Sequence, residues 1–282
     1  MKEQAQHGTA QFPLGWYPHM NSSWQGYFFV PHWHAELELI IIESGTMELV
    51  VQGKSYILLA GEIALIPPNV LHTAYRLQER ACTFSCVVFV PKFIASASAD
   101  ELQTELLQPL FSDGVGPLRL EKSAGDFELK RELDLLMMAL DGQKYYDHLR
   151  AKGLLLQILA ILFADKEDWV KSSVPSELRS RREKLILQFL EIHYAEKLTL
   201  ADLAKVLKLS KEQFSRFFRQ SFRRSPFQYL IQFRLQKACQ LLISGDHTVT
   251  EIAEACGFES SNYFARVFKE HFNLSPTEFR QK

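Results

Sequence analysis

The sequence has no uninterrupted apolar run approaching the roughly eighteen residues that a membrane-spanning helix needs, so no membrane partner is expected. Its opening stretch, MKEQAQHGTAQFPLGWYPH, lacks the basic-then-apolar layout of a secretory leader, which points to a cytoplasmic protein. Cysteine is scarce: Cys82, Cys86, Cys239 and Cys256 form neither a CxxC pair nor a zinc-ribbon spacing. That pattern argues against a disulfide framework and predicts small core residues in a reducing compartment. No separate acid–base pair or substrate clamp of an enzyme stands out either.

Core material is plentiful. The 282 residues are 47% hydrophobic and 23% charged, a globular balance that suits two ordinary domains better than one. The formal net charge of −1 hides an asymmetry: residues 184–282 hold 15 Lys and Arg against 10 Asp and Glu, and the rest holds 17 against 23. A basic C-terminal third on an acidic N-terminal part is expected if one end meets a polyanion.

Residues 27–30, 37–42, 47–52, 55–60, 62–67 and 82–90 are short runs rich in β-branched and aromatic residues. Gly45, Gly53, Gly61, Pro67, Pro68 and Asn69 punctuate them, which predicts a small barrel or sandwich. Over 126–140 and 146–163 the apolar spacing changes to three and four, so helices are predicted. The charged stretch 166–183 holds Pro175 and lacks a clear apolar face, as a linker would. The expected organisation is α+β in two domains: a barrel with accessory helices over 1–165, a linker over 166–183, and an all-helical domain over 184–282.

The C-terminal part repeats itself. TLADLAKVLKLSKEQFSRFFRQSFRRSPFQY (199–229) matches TVTEIAEACGFESSNYFARVFKEHFNLSPTEF (248–279) at an offset of 49, then 50. Thr199 with Asp202 and Thr248 with Glu251 read as capping boxes, and so do Ser225 with Gln228 and Ser275 with Glu278. In the last two pairs proline follows at the first helical position, where its missing N–H costs nothing. Between the boxes a short turn leads to a helix opened by Ser210 in the first copy and by Ser260 or Ser261 in the second. Two helix-turn-helix units follow, at about 199–222 and 248–272.

The second helix of each unit sorts by face. Phe214, Phe218 and Phe222 match Phe264, Phe268 and Phe272, an apolar stripe that belongs in the core. The opposite face carries Lys211, Glu212, Ser215, Arg216 and Arg219 in one copy, and Ser261, Asn262, Ala265, Arg266 and Lys269 in the other. Short polar groups beside arginine suit a major groove, because arginine reads guanine bidentately and asparagine reads adenine. Arg219, Arg223, Arg224 and Lys269 are better suited to phosphate.

On these motifs, together with FRLQKACQLL (233–242) between the units, the last 99 residues resemble the AraC/XylS family of bacterial regulators. The resemblance implies a sequence-specific transcription regulator that binds double-stranded DNA and responds to a small-molecule effector. It also implies RNA polymerase as a partner. Two departures stand out. Lys208 occupies the turn position held by Gly257 in the second unit, so the first turn is expected to differ in shape if a positive φ is required. Asn273 stands where the family commonly has glycine, and asparagine tolerates the left-handed conformation.

The N-terminal part carries His32-x-His34-x3-Glu38-x6-Gly45, then Gly61-x5-Pro67-x-Asn69-x2-His72. On a strand of period two, positions 32, 34 and 38 share one face, and His72 joins from a neighbouring strand. Three imidazoles and a carboxylate suit Zn, Ni, Mn or Fe(II). These spacings resemble both cupin motifs, with Asn69 in place of a glycine and Arg76 in place of the final asparagine.

Three readings stay open: a metal site, a metal-free pocket for an organic effector such as a sugar or its derivative, or a structural remnant of the fold. Trp16, Trp24, Tyr27, Trp33 and Tyr75 are candidates to stack on a sugar ring, and Arg76 to hold an anion. Leu133, Leu136, Met137 and Leu140, with Leu155, Ile158, Leu159 and Leu162, form stripes that suit either a homodimer seam or packing against the barrel. The rival to a regulator is a metal-dependent cupin enzyme, a dioxygenase or isomerase, fused to a DNA-binding domain.

Overall fold

The computed structural model describes residues 7–23, 26–77, 81–111, 118–120, 127–142, 144–164, 177–245 and 247–281. The chain divides into two units, Lys2–Ser180 and Arg181–Lys282. In the first, strands β1 (Leu14–Met20), β2 (Tyr27–His32), β3 (Leu37–Val51), β4 (Lys54–Leu59), β5 (Ile63–Ile66), β6 (His72–Arg76), β7 (Cys82–Phe89) and β8 (Leu118–Leu120) form one antiparallel network. Two helices follow, α1 (Phe127–Asp141) and α2 (Tyr145–Ala164).

The long strand β3 makes the sheet curl. Its first part pairs with β5 and β7, while Thr46–Val51 pairs with β4 and β6. One strand therefore belongs to two sheets, and the result is a half-barrel. The sequence pattern suggested two strands here, broken at Gly45. Instead the chain runs through, with a register shift against β7 between Ile42 and Ser44. Such a bulge changes which residues face which side. Ile40 and Ile42 before it, and Met47, Leu49 and Val51 after it, join one core with Ala64, Ile66, Ala74, Phe84 and Cys86.

Leu37, Leu39 and Ile41 face the other way, into a second core with Leu129, Leu133 and Leu136 of α1 and Leu155, Ile158, Leu159 and Leu162 of α2. Cover on both faces explains why 37–42 reads as continuous apolar sequence rather than alternation. Leu133, Leu136 and Leu140, with Leu155, Ile158, Leu159 and Leu162, thus pack against the barrel, one of the two uses expected for the stripes. Trp16 ties the layers further, its indole N–H donating to Asp141 Oδ1 at 2.9 Å. The strands β1 and β6 were not legible as such, because LGWYPHM and HTAYR are short, mixed in polarity and, in β1, interrupted by proline.

The second unit is helical. It contains all but the first turn of α3 (Glu177–His193), then α4 (Leu200–Val206), α5 (Lys211–Phe222), α6 (Pro226–Ser244), α7 (Val249–Ala255), α8 (Ser261–Phe272) and α9 (Pro276–Arg280). Residues 177–183 of the expected linker are helical, as the start of α3, and its residues 166–176 lie outside the described residues. The helix buries Ile186, Leu187 and Leu190, a three-to-four spacing that begins beyond the charged stretch and carries it along.

All four expected capping boxes form, with both reciprocal hydrogen bonds in each. A fifth joins Ser210 to Gln213 at the start of α5, and Ser260 rather than Ser261 caps α8. Phe214, Phe218, Phe222, Phe264 and Phe268 are fully buried, and Phe272 is half-buried. Their rings meet in a chain, with Phe218–Phe222 centroids 4.5 Å apart and Phe268–Phe272 4.4 Å apart. Truncating one such ring to alanine typically costs about 3–5 kcal/mol.

Candidate functional site

Two places gather the chemistry-bearing residues. The first is the outer face of α5 and α8. Each helix anchors its phenylalanine stripe inward, which turns the opposite residues outward. Lys211, Glu212, Arg216 and Arg219 are exposed on α5 and Ser215 is half-buried; on α8 Asn262, Arg266 and Lys269 are exposed, with Ser261 and Ala265 half-buried. All ten expected contact residues are thus on an accessible face. Ser215, Arg216 and Arg219, with Gln220, line a surface hollow of about 340 Å³. Glu212 sits in the first turn of α5, where its own backbone N–H and the Ser210 hydroxyl hold its carboxyl below the ordinary value.

Tyr263 escaped the sequence reading. The Arg266 guanidinium carbon lies 5.5 Å from the centre of its ring, a cation–π contact that restricts where the guanidinium points. The signal was present as an aromatic three residues before the arginine. Arg234 was also passed over: from α6 it donates to the carbonyls of Tyr194 at 2.7 Å and Glu196 at 2.8 Å. That fixes the long linking helix against the chain just after α3.

The second place is the half-barrel cluster. The sequence expectation put His32, His34 and Glu38 on one strand. The structure corrects this: β2 ends at His32, His34 lies in the turn, and Glu38 is the second residue of β3. The side chains still converge, because the turn folds back where a strand would have carried them apart. His72 opens β6 as the pairing partner of His32, as a neighbouring strand requires. One ligand-type atom from each of the four lies within 4.8 Å of the others.

His34, Glu38 and His72 are buried and His32 is half-buried. Glu38 Oε2 accepts from His72 Nε2 at 2.9 Å and His34 Nε2 at 3.2 Å. Burial alone would raise the Glu38 carboxyl, but the hydrogen bonds and charge of these two rings outweigh it and hold the group well below the ordinary value. Asn69 adopts φ 59°, the left-handed region, which explains how asparagine serves where the resembling motif has glycine.

Arg76 lies four residues along β6 from His72, about 13 Å at ordinary strand rise. Trp33 is buried, and Tyr27 is buried with its ring 4.6 Å from that of Tyr75. Trp16 is engaged by Asp141. Trp24 lies outside the described residues. The rings of Tyr27 and Tyr75 pack against each other.

Cys82, Cys86 and Cys256 are buried and Cys239 half-buried, as core residues. Burial pushes the thiols of Cys82 and Cys256 up to about 11 and that of Cys239 to about 12. Thiols raised in this way hold little thiolate at neutral pH. Among the described residues no helix is long and apolar enough to cross a membrane.

Comparison with known families matches residues 203–282 to a helix-turn-helix domain and residues 21–159 to an AraC-like ligand binding domain. The uncharacterized HTH-type transcriptional regulator YdeC of Bacillus subtilis is 28% identical over 292 residues, covering 100% of this chain and 96% of YdeC. The HTH-type transcriptional activator RhaS of Salmonella arizonae is 30% identical over 259 residues, covering 90% of this chain and 88% of RhaS. Among solved structures, an apo ToxT variant from Vibrio cholerae covers 98% of both chains at 16% identity, with a TM-score of 0.45. A half-barrel of the ligand-binding type joined to two helix-turn-helix units defines a DNA-binding transcription regulator with an effector-binding domain. The chain belongs to the AraC family of transcriptional regulators.

Proposed function

We propose that this regulator reads DNA through α5 and α8 and that a small molecule held by the half-barrel sets its affinity for the operator. The observation that carries the reading is the matched pair of exposed ridges, Arg216 with Arg219 and Arg266 with Lys269, on helices whose other faces are buried phenylalanine. Arg216 and Arg266, with Ser215, Glu212, Asn262, Ser261 and Ala265, face base edges; Lys211, Arg219 and Lys269 face phosphates. Two linked units reading one duplex contact grooves about one helical turn apart.

The half-barrel with accessory helices, the linker and the helical region act as sensor, connection and reader. Ligand binding favours one arrangement of the protein and so shifts DNA affinity or contact with RNA polymerase. The chain acts as a cytoplasmic regulator and not as an enzyme, in keeping with relatives that are transcription regulators. A homodimer would use residues left outside the intramolecular core, such as Leu149 and Leu156, 73% and 40% exposed and two turns apart on α2.

The test is an electrophoretic mobility-shift titration on an operator selected from a random pool, with sugars, sugar derivatives and metal salts screened by thermal shift beside it. The reading expects nanomolar-range specific binding that a ligand stabilising the protein strengthens or weakens. Binding that shows no sequence preference would overturn it.

A further inference from the structure

We propose that His32, His34, Glu38 and His72 are the four protein ligands of a single divalent transition-metal ion of the zinc, nickel, manganese or iron(II) class. The proposal deepens the sensor reading by naming what the half-barrel holds, and it rests on that reading only for the effect on DNA.

Size decides first. The four ligand-type atoms lie within 4.8 Å of one another. A sugar ring does not fit between groups so close. An ion at about 2.1 Å from each donor needs donor separations of roughly 3–4 Å, so the widest pair has to close by about an ångström. The donors enclose a point.

Ring orientation decides next. His32 Nδ1 contacts the Val30 carbonyl at 2.8 Å, His72 Nδ1 the Val70 carbonyl at 2.8 Å, and His34 Nδ1 the Glu36 carbonyl at 3.1 Å. A carbonyl only accepts, so each Nδ1 carries a proton and a ligand ion would be met by the Nε2 side, taking the place of the Nε2 protons that His34 and His72 direct at Glu38. Three rings oriented alike by backbone carbonyls are the outer-shell arrangement that fixes metal-binding histidines. A hydrogen-bonding pocket for an organic molecule has no need to hold all three rings in one tautomer.

Chemistry and surroundings agree. Three imidazole nitrogens with one carboxylate oxygen form a borderline donor set suited to these ions rather than to calcium or magnesium. With an ion bound, imidazoles coordinating through a lone pair are neutral, so the three rings and Glu38 would supply one negative charge against the two positive charges of the cation. The Phe29 ring stands 5.5 Å from His32 and 5.7 Å from His72, and the His7 ring 5.7 Å from His34. These walls keep the site in low dielectric, where ion–ligand attraction is strong.

The test uses the full-length protein, stripped with a chelator and then dialysed against cobalt(II), which is visible where zinc is not. The expected result is one ion per chain by elemental analysis, with ligand-field absorption and no thiolate charge-transfer band, and a higher unfolding temperature. His72→Ala and Glu38→Gln are each expected to weaken binding by at least about tenfold while keeping the far-ultraviolet circular dichroism of the parent. Absence of stoichiometric binding by the parent at micromolar cobalt overturns the proposal. So does binding that a folded His72→Ala variant retains unchanged.

If the variants fail to fold, X-ray absorption on the loaded parent decides. Imidazole scattering in an all-nitrogen-and-oxygen shell supports the site, and a sulfur-containing or purely oxygen shell overturns it. No DNA enters these measurements, so their failure leaves the DNA-reading proposal standing, and loss of specific DNA binding leaves the metal site standing.

Discussion

Lys208 and Gly257 occupy the same left-handed backbone region, at φ 54° and 76°, in the turns of the two helix-turn-helix units. The sequence difference suggested that the first turn would take another shape; it does not. The flanking helices impose one geometry on both turns, at a steric cost for Lys208 that Gly257 does not carry. What differs is space. A Cβ at Gly257 would stand 2.4 Å from the Ala195 carbonyl oxygen, whereas Lys208 is exposed.

Lys208→Gly is therefore expected to stabilise the protein by up to about 1 kcal/mol, the ordinary penalty of a side chain at positive φ. Gly257→Ala is expected to destabilise by more than that, because the turn must also move off Ala195. Urea unfolding of the full chain, followed by circular dichroism, measures both. Equal and small effects at the two positions would show that the turns are not equivalent in the way described.

Arg266 is held by Tyr263, and the reading of a base depends on that hold. Arg266→Ala is expected to weaken specific binding by about 1–3 kcal/mol and to relax one base preference. Arg266→Lys is expected to lose most of the same preference, since an ammonium cannot make the planar bidentate contact. Tyr263→Leu is expected to weaken binding less, by about 0.5–1 kcal/mol, through a looser guanidinium. Mobility-shift titration against single-base operator variants separates the three.

Lys269 and Arg219 face solvent at the ends of their helices and suit phosphate. Replacing either by alanine is expected to weaken binding alike on specific and nonspecific DNA, and to lower the slope of log affinity against log salt by about one. Fluorescence anisotropy over a salt series gives that slope. A change in base preference without a change in slope would move these residues to the base-reading set.

Helix caps supply a pH dependence. Side-chain and backbone hydrogen bonds from Thr199 hold the Asp202 carboxyl below its ordinary value, as Ser275 does for Glu278. Backbone and side-chain bonds from Thr248 do the same for Glu251. A depressed folded value means that the stabilisation is present above the unfolded value and is lost as pH falls through the folded one. Thermal unfolding between neutral pH and pH 3 is expected to show a falling midpoint below the usual carboxylate range. Glu251→Gln and Glu278→Gln together are expected to flatten that fall, and an unaltered profile would remove the caps from the account.

The helical region was largely legible in the sequence because its determinants are local. A capping serine, a carboxylate three residues on, and phenylalanines at four-residue spacing act within single helices, and duplication confirmed each signal. The half-barrel was legible only in part. Glu38 could be picked out by its spacing from His32 and His34, but not the turn that brings them together, since that turn depends on pairing between β2 and β6. Nor does a sequence window contain the bulge at Ile42–Ser44, or the bond from Trp16 to Asp141 across 125 residues. These are long-range consequences of one strand shared by two sheets.

The central claim is that the two units read two separate clusters of bases. Selection of binding sites from a random pool by the parent protein, by Arg216→Ala and by Arg266→Ala, tests it most directly. The account predicts two preferred clusters centred about 10 base pairs apart, one flattened by the first variant and the other by the second. Preferences unchanged in both variants, or flattened at the same bases by both, would contradict it.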